Sequence, residues 1–371
     1  MRILTTLSYW RPYVSGLTIC VQRLIEGLSK KEFEFTVLTS RYQRQLPVSE
    51  MTGNIKILRL PVLFTLGKVP VMPGYLPALV RELRRADLVW IHLPQAEGLM
   101  VVLAAKLFGK KTVATVHCLP LLPSGWQRIF FQKIFDGLNN AVIFLADAVV
   151  YYTRDYAQNT KELLHVPSKS HYIFPPIPAV NNVTMKQFNN SVFTLGFAGR
   201  VAEDKGLEYL IKAIQLMKQK GKDARFLMAG TREAVGEESY SKKINSLIDE
   251  SGVDVEFLGL IDPEKMGGFY KLIDVLVLPS VNRTEAFGMV QAEAMKHGVP
   301  VIASDLPGVR VPIKLTKFGV IVPSCQPRRL AEKISMVLNL QIERHLIKKK
   351  IEKIFSPQQT ITQYREIFLR E

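Results

Sequence analysis

Short runs of β-branched and aliphatic residues recur along the chain. Each is followed by a longer stretch whose apolar positions fall at helical spacing. Residues 1–7, 35–39 and 55–60 predict strands, as do 87–92 (DLVWIH), 112–117 (TVATVH) and 148–153 (AVVYYT). Residues 16–30 predict a helix with Leu17, Val21, Leu24, Ile25 and Leu28 on one face, and residues 98–107 predict another. The alternation breaks at Phe174-Pro-Pro-Ile-Pro and the polar stretch 181–190, which predict a linker. It then restarts, with strands at 192–198, 224–229, 255–258, 275–278 and 299–303 and helices at 207–217, 242–251 and 285–297. The helix at 207–217 carries Leu207, Leu210, Ile211, Ile214 and Met217 on one stripe. Strands separated by helices form βαβ units and parallel sheets. The pattern therefore predicts an α/β chain of two doubly wound, Rossmann-like domains in tandem.

Composition narrows the class. The 371 residues are 47% hydrophobic and 22% charged, which excludes a disordered chain. Cys20, Cys118 and Cys325 lie far apart with no CxxC, so neither a disulfide framework nor a zinc site is expected, and a reducing compartment fits. The start of the chain lacks the features of a signal peptide, and no apolar run approaches the ~18 residues of a membrane span. We expect a cytoplasmic protein, soluble or peripheral on the inner face of a membrane. The formal charge is +16, and the first 190 residues hold 22 basic against 11 acidic side chains. Such an excess suits phosphorylated ligands, an anionic membrane surface or nucleic acid. No RRM, KH or helix-turn-helix signature appears, so no nucleic-acid partner is expected.

In open parallel sheets ligands bind beyond the carboxyl ends of the strands, so the strand–helix junctions hold the candidate chemistry. The richest follows Leu278: Pro-Ser-Val-Asn-Arg-Thr-Glu-Ala-Phe-Gly-Met-Val-Gln-Ala-Glu. A helix starting near Gly288 offers free backbone N–H groups to a phosphate. Glu285 and Glu293 flank it, which suits a ligand with hydroxyls to donate; they read equally as a helix-start acid and a solvated helix residue. A second junction, Gly196-Phe-Ala-Gly-Arg-Val-Ala-Glu-Asp-Lys-Gly, sets Gly199, Arg200 and Lys205 on one loop. Two cations there can clamp a diphosphate; the alternative is Glu203, Asp204 and Lys205 paired in solvent. His117 and His92 each end a strand, and Gly16 opens the first helix.

With these residues the chain resembles the retaining nucleotide-sugar glycosyltransferases of family 4 (group 1), over nearly its whole length. The motifs are Glu285 and Glu293 in EAFGMVQAEAM, Arg200 and Lys205 in FAGRVAEDKGLEYLI, and HGVPVIASDLPG after them. The resemblance implies a GT-B fold, with two Rossmann-like parallel-sheet domains facing a cleft. Residues 1–180 would be the acceptor-binding domain and 190–355 the donor-binding domain. A helix at 357–371 would cross back to the first domain and pack Tyr364, Ile367 and Phe368 there. It further implies that Arg200 and Lys205 neutralise the departing diphosphate. Glu293 would take the ribose hydroxyls, and Glu285 the 3- and 4-hydroxyls of the hexose. Backbone around Phe287, Gly288, Met289 and Val290 would touch hexose and phosphate. His117 would meet the 6-hydroxyl, and Gly16 and Gly199 would line the diphosphate.

There is no D-x-D motif, and the resemblance implies no metal and no cofactor beyond the donor, a UDP- or GDP-hexose. The acceptor would be a sugar or a lipid-linked glycan. A sugar phosphorylase, a sugar-phosphate synthase with a small soluble acceptor, or a silent nucleotide-sugar binding protein are the rival readings. Two departures stand out. Ser15-Gly16 replaces the Gly-Gly frequent in the family's first loop, and Pro307-Gly308-Val309-Arg310-Val311 lacks the family's usual acid. Residues 126–138 mix aromatic, aliphatic and basic side chains. The reading favoured here packs Ile129, Phe130, Ile134 and Leu138 inward, and an interfacial helix against anionic lipid is the alternative.

Overall fold

The computed structural model describes the chain except residues 30–31, 67–68, 123–127, 181–191, 233–236, 339–343 and 371. The predicted linker at 181–190 lies outside the described residues. Two compact units result, Met1–Pro176 with Pro357–Glu371, and Ile177–Ser356.

The first unit runs β1 (Arg2–Thr6), α1 (Gly16–Ser29), β2 (Glu34–Arg41), β3 (Ser49–Thr52), β4 (Ile55–Pro61), β5 (Phe64–Leu66), β6 (Val69–Val71), α2 (Tyr75–Leu83), β7 (Leu88–Leu93), α3 (Gly98–Leu107), β8 (Lys111–Val116), α4 (Arg128–Leu145), β9 (Ala148–Tyr151), α5 (Arg154–Asn159) and β10 (Ser170–Tyr172). Its main sheet has the order β10-β9-β8-β7-β1-β2-β4-β3, parallel but for β3 on the edge. β7 is buried along its whole length, which is why it reads as a continuous apolar run rather than an alternating one.

The second unit runs β11 (Thr194–Ala198), α6 (Leu207–Lys218), β12 (Arg225–Ala229), α7 (Glu238–Ser251), β13 (Asp254–Gly259), α8 (Met266–Leu272), β14 (Val275–Leu278), α9 (Met289–Lys296), β15 (Val301–Ser304), α10 (Val311–Thr316), β16 (Gly319–Val322), α11 (Pro327–Leu338) and α12 (Arg344–Ile354). Its sheet order, β13-β12-β11-β14-β15-β16, is that of a doubly wound dinucleotide-binding fold. The order reverses between β11 and β14, so the loops after those two strands border one crevice.

The last helix, α13 (Pro357–Leu369), belongs to the first unit. Tyr364 and Phe368 lie 5.4 and 5.1 Å from Trp90, ring centre to ring centre, and Ile367 is buried with them.

Helix α4 corrects one expectation. Ile129, Phe130 and Ile134 are exposed and Leu138 is half-buried, whereas Asn139, Val142 and Ile143 face the core. The apolar residues expected inside thus face out at the start of the helix, and the polar Asn139-Asn140 pair lies inside. In the fold Asn139 donates to the Phe135 carbonyl at 2.7 Å. Asn140 donates to the Glu162 carbonyl and accepts from the Leu164 N–H, so its amide is satisfied inside, whereas no hydrogen bond from a described residue reaches the buried Asn139 Oδ1. The second half of α4 packs on α3: a Cβ on Gly98, the first residue of α3, would lie 3.2 Å from Val142.

Candidate active site

The crevice of the second unit is built from the loops that follow β11 and β14. Gly206 sits at φ +63, and a Cβ there would come within 2.5 Å of the Pro279 carbonyl oxygen. Only glycine allows the first loop to close this tightly on the second. The Val281 N–H then donates to the Asp204 carbonyl at 3.0 Å and locks the two loops together.

This closure brings together charges that lie eighty residues apart in sequence. Lys205 Nζ lies 2.8 Å from Glu285 Oε2 and 2.9 Å from Asp204 Oδ2, and Arg200 reaches Asp204 Oδ1 at 3.4 Å. Asp204 is buried, so the solvent-paired reading of this loop fails. Burial is the largest influence on Lys205 and works to lower its pKa. Asp204 and Glu285 outweigh it and hold the ammonium above its ordinary value. Arg200 is a third exposed and bound only weakly to Asp204, so its guanidinium is the cation best placed to meet an incoming anion.

Gly288 caps α9 at φ +72, where a Cβ would strike Leu278 and Gln291. The N–H groups of Met289 and Val290 open the helix, where no intrahelical acceptor precedes them. Buried Gln291 donates to the Phe287 and Val309 carbonyls and fixes this turn to the 305–311 segment. The Phe287 side chain belongs to the core, edge-on to Phe355 at 5.9 Å, so only its backbone could serve a ligand. Glu293 is buried rather than solvated, and its Oε2 accepts from the Tyr270 hydroxyl at 2.9 Å.

In the first unit the strand order reverses between β1 and β7. The Thr6 hydroxyl, ending β1, donates to Gln95 Oε1 at 3.0 Å, and Gln95 donates to the Tyr75 hydroxyl. Tyr9 and Tyr13 stack 4.6 Å apart, and Tyr42 meets both edge-on. Burial, then Tyr13 and Glu97, push Tyr9 up to about 12. Glu97 itself is raised by burial, and no hydrogen bond from a described residue reaches its buried Oε2. The sequence reading missed Tyr9, Tyr13, Gln95, Glu97 and Asp204. The first four could have been found from their place after β1 and β7, had the reversal point been recognised.

His117 follows β8, and Gly16 opens α1. Ser15 Oγ accepts from the Thr18 N–H at 3.2 Å, so the serine that replaces a glycine caps that helix. His117 is nearly fully buried. Its Nε2 lies 2.9 Å from His92 Nδ1, its Nδ1 bonds the Tyr152 hydroxyl, and that hydroxyl donates to Cys20 Sγ at 3.2 Å. Burial pulls His117 down to about 3, and burial with His117 beside it pulls His92 well below its usual range. Both imidazoles are therefore neutral. The chain runs consistently from His92 Nδ1–H to His117 Nε2, and from His117 Nδ1–H to Tyr152. To touch a sugar hydroxyl through nitrogen, His117 must give up one of these bonds.

Residues 14–179 match the family described as Glycosyltransferase Family 4, and residues 184–354 match Glycosyl transferases group 1. The chain is 24% identical to a D-inositol 3-phosphate glycosyltransferase of Pseudarthrobacter chlorophenolicus over 335 residues, 83% of this chain and 78% of that one. It is also 24% identical to an uncharacterized glycosyltransferase of Methanocaldococcus jannaschii, over 99% of this chain and 98% of that one. Among solved structures, sucrose-phosphate synthase from Thermosynechococcus elongatus superposes with a TM-score of 0.78 at 18% identity, over 99% of both chains. HepE of Anabaena in complex with UDP-glucose superposes with a TM-score of 0.76 at 17% identity, again over 99% of both.

Proposed function

Because the chain belongs to the family 4, group 1 glycosyltransferases of GT-B fold, we propose that it transfers a hexose from a nucleoside diphosphate sugar to an acceptor hydroxyl, with retention at the anomeric carbon. The observation that carries this reading is the Arg200–Asp204–Lys205–Glu285 cluster at the strand-order reversal of the second sheet. Breaking the anomeric C–O bond leaves a growing negative charge on the diphosphate and an oxocarbenium-like sugar. Arg200 and Lys205 stabilise that charge where it develops, which favours the transition state over the bound donor. The phosphate competes with Glu285 for Lys205, and Glu285 is then available to accept from hexose hydroxyls. Glu293, oriented by Tyr270, takes the ribose. The first N–H groups of α9 complete the phosphate site. We assign no protein nucleophile.

On the acceptor side, Glu97 and the Tyr9–Tyr13–Tyr42 group are the side chains we assign to the incoming alcohol. Glu97 Oε2 is an open acceptor for its hydroxyl, and the tyrosine rings offer apolar faces to a sugar ring. HepE, solved with UDP-glucose, makes a UDP-hexose the first donor to try.

Isothermal calorimetry with UDP, GDP and ADP, and with their sugar conjugates, tests the donor, each run with and without Mg²⁺. One nucleotide should bind the wild type, and Glu293→Ala should lose it. No binding by any of them would remove the reading.

A further inference from the structure

Large apolar side chains that stand exposed are unevenly shared between the units. Among the described residues the second unit has Leu260, Leu315 and Met336, and all the others belong to the first. The densest group is the start of α4, where Ile129, Phe130 and Phe131 are 69%, 65% and 50% exposed. Successive helix residues point about 100° apart. Exposure at three in a row leaves this turn open in three directions. The remaining side is held by Gln132, whose Oε1 accepts from the Leu122 N–H at 2.8 Å and whose Nε2 donates to the Pro120 carbonyl at 3.1 Å. Phe130, Ile134 and Phe144 continue along one outward face, with Lys133 as the charged residue among them. Across the same carboxyl edge of the sheet, Leu63 and Phe64 follow β4, and Leu76 lies in the first turn of α2.

We propose that the first unit docks on an anionic lipid surface, inserting the exposed apolar side chains at the start of α4. A helix end that is apolar on several sides, with a lysine beside it, matches the chemistry of a bilayer interface: acyl chains for the rings, headgroup phosphate for the cation. The excess of 22 basic over 11 acidic side chains in the first 190 residues supplies longer-range attraction. A second copy of the chain fits less well. A stable protein interface needs about 800 Å² from each partner, and one convex helical turn offers far less. The docked edge is also the edge that holds Tyr9, Tyr13 and Glu97, so the acceptor would be carried on a lipid. That last step rests on the proposed transfer reaction, whereas the docking does not.

Vesicle flotation of the full chain tests this, with phosphatidylcholine alone and with phosphatidylcholine mixed with phosphatidylglycerol, at low and high salt. The protein should float with the mixed vesicles and not with the neutral ones. Phe130→Ser/Phe131→Ser should lower partitioning on the order of 30-fold. Lys133→Glu should lower it roughly tenfold at low salt and less at high salt. These positions are exposed, and circular dichroism will confirm that the variants fold. Absence from both floating fractions, equal flotation with both lipids, or a double variant that floats like wild type would each overturn the proposal. A wild-type dimer that the double variant dissociates, without flotation, would overturn it in favour of a second copy. UDP and GDP calorimetry on the same preparations separates the two readings. Nucleotide binding without flotation removes only the docking, and flotation without nucleotide binding removes only the transfer reaction.

Discussion

Where strand order reverses in the second sheet, four charged side chains stand in contact, two of each sign, with Lys205 held between Asp204 and Glu285. Where it reverses in the first sheet, the loops carry stacked tyrosines, Gln95 and the half-buried Glu97, flanked by two neutral histidines. The same topology thus holds a charge-balanced cluster in one unit and an aromatic, largely uncharged one in the other. The difference fits the two halves of a group transfer. A diphosphate calls for fixed cations, kept soluble and ordered by their own counter-ions until the donor arrives. A hydroxyl acceptor calls for shape, ring faces and one carboxylate.

The sharpest way to break this contrast is to remove the exposed cation. Arg200→Ala should lower kcat by a factor on the order of 10²–10³, the usual cost of losing one donor to a developing anion, while nucleotide affinity changes only severalfold. Steady-state kinetics with the donor found by calorimetry will read this. A loss of affinity with kcat unchanged would mean that Arg200 holds the bound donor and the transition state equally.

Next comes the closure that brings the charges together. Gly206→Ala would force a side chain into φ +63 and against the Pro279 carbonyl. We expect a loss of about 2–4 kcal/mol in urea unfolding, together with weakened donor binding, because Lys205 and Glu285 would be pushed apart. A stable variant with unchanged binding would show that the loops meet without this glycine.

The first unit should reveal its neutral histidines through pH. His92 and His117 have folded pKa values far below the unfolded value near 6.5. The native state therefore binds fewer protons than the unfolded chain once pH falls below about 6.5. The stability they contribute is complete above that pH and is lost as the pH falls, by about 1.4 kcal/mol per pH unit for each histidine. Half-buried His171 and His297, also lowered chiefly by burial, add in the same direction. Urea unfolding between about pH 7 and pH 5 should show this slope, and His92→Gln/His117→Gln should flatten it. An unchanged slope in the double variant would mean the pair is not held neutral.

What the sequence discloses follows the same division. The α/β fold with two parallel sheets is legible because βαβ alternation is a local pattern. Arg200, Lys205, Glu285 and Glu293 stand out as charged residues at strand–helix junctions, but their types leave a structural reading open, and the roles expected of them come from the family resemblance. The aromatic site is not legible, since Tyr9, Tyr42 and Glu97 belong to three loops that only the strand order brings to one edge. Asp204 misleads in the other direction, since a run of charges reads as solvated until Val281 closes over its backbone. Helix α4 shows the limit of periodicity. An apolar stripe specifies a face but not what that face meets: Ile129, Phe130 and Ile134 share the helix with the core residues Val142 and Ile143 and are themselves exposed.

The smallest effect bears on how the donor half holds its second acid. Tyr270→Phe removes the hydroxyl that donates to Glu293 Oε2 and leaves a buried carboxylate oxygen short of that donor. We expect about 1 kcal/mol of lost stability. Nucleotide affinity should weaken by about three- to fivefold, because Glu293 would have to be ordered at the moment of binding. If Glu293 served only as a helix residue, the stability would fall and the affinity would not. Calorimetry and urea unfolding on the one variant therefore distinguish a carboxylate positioned for a ribose from one that merely packs.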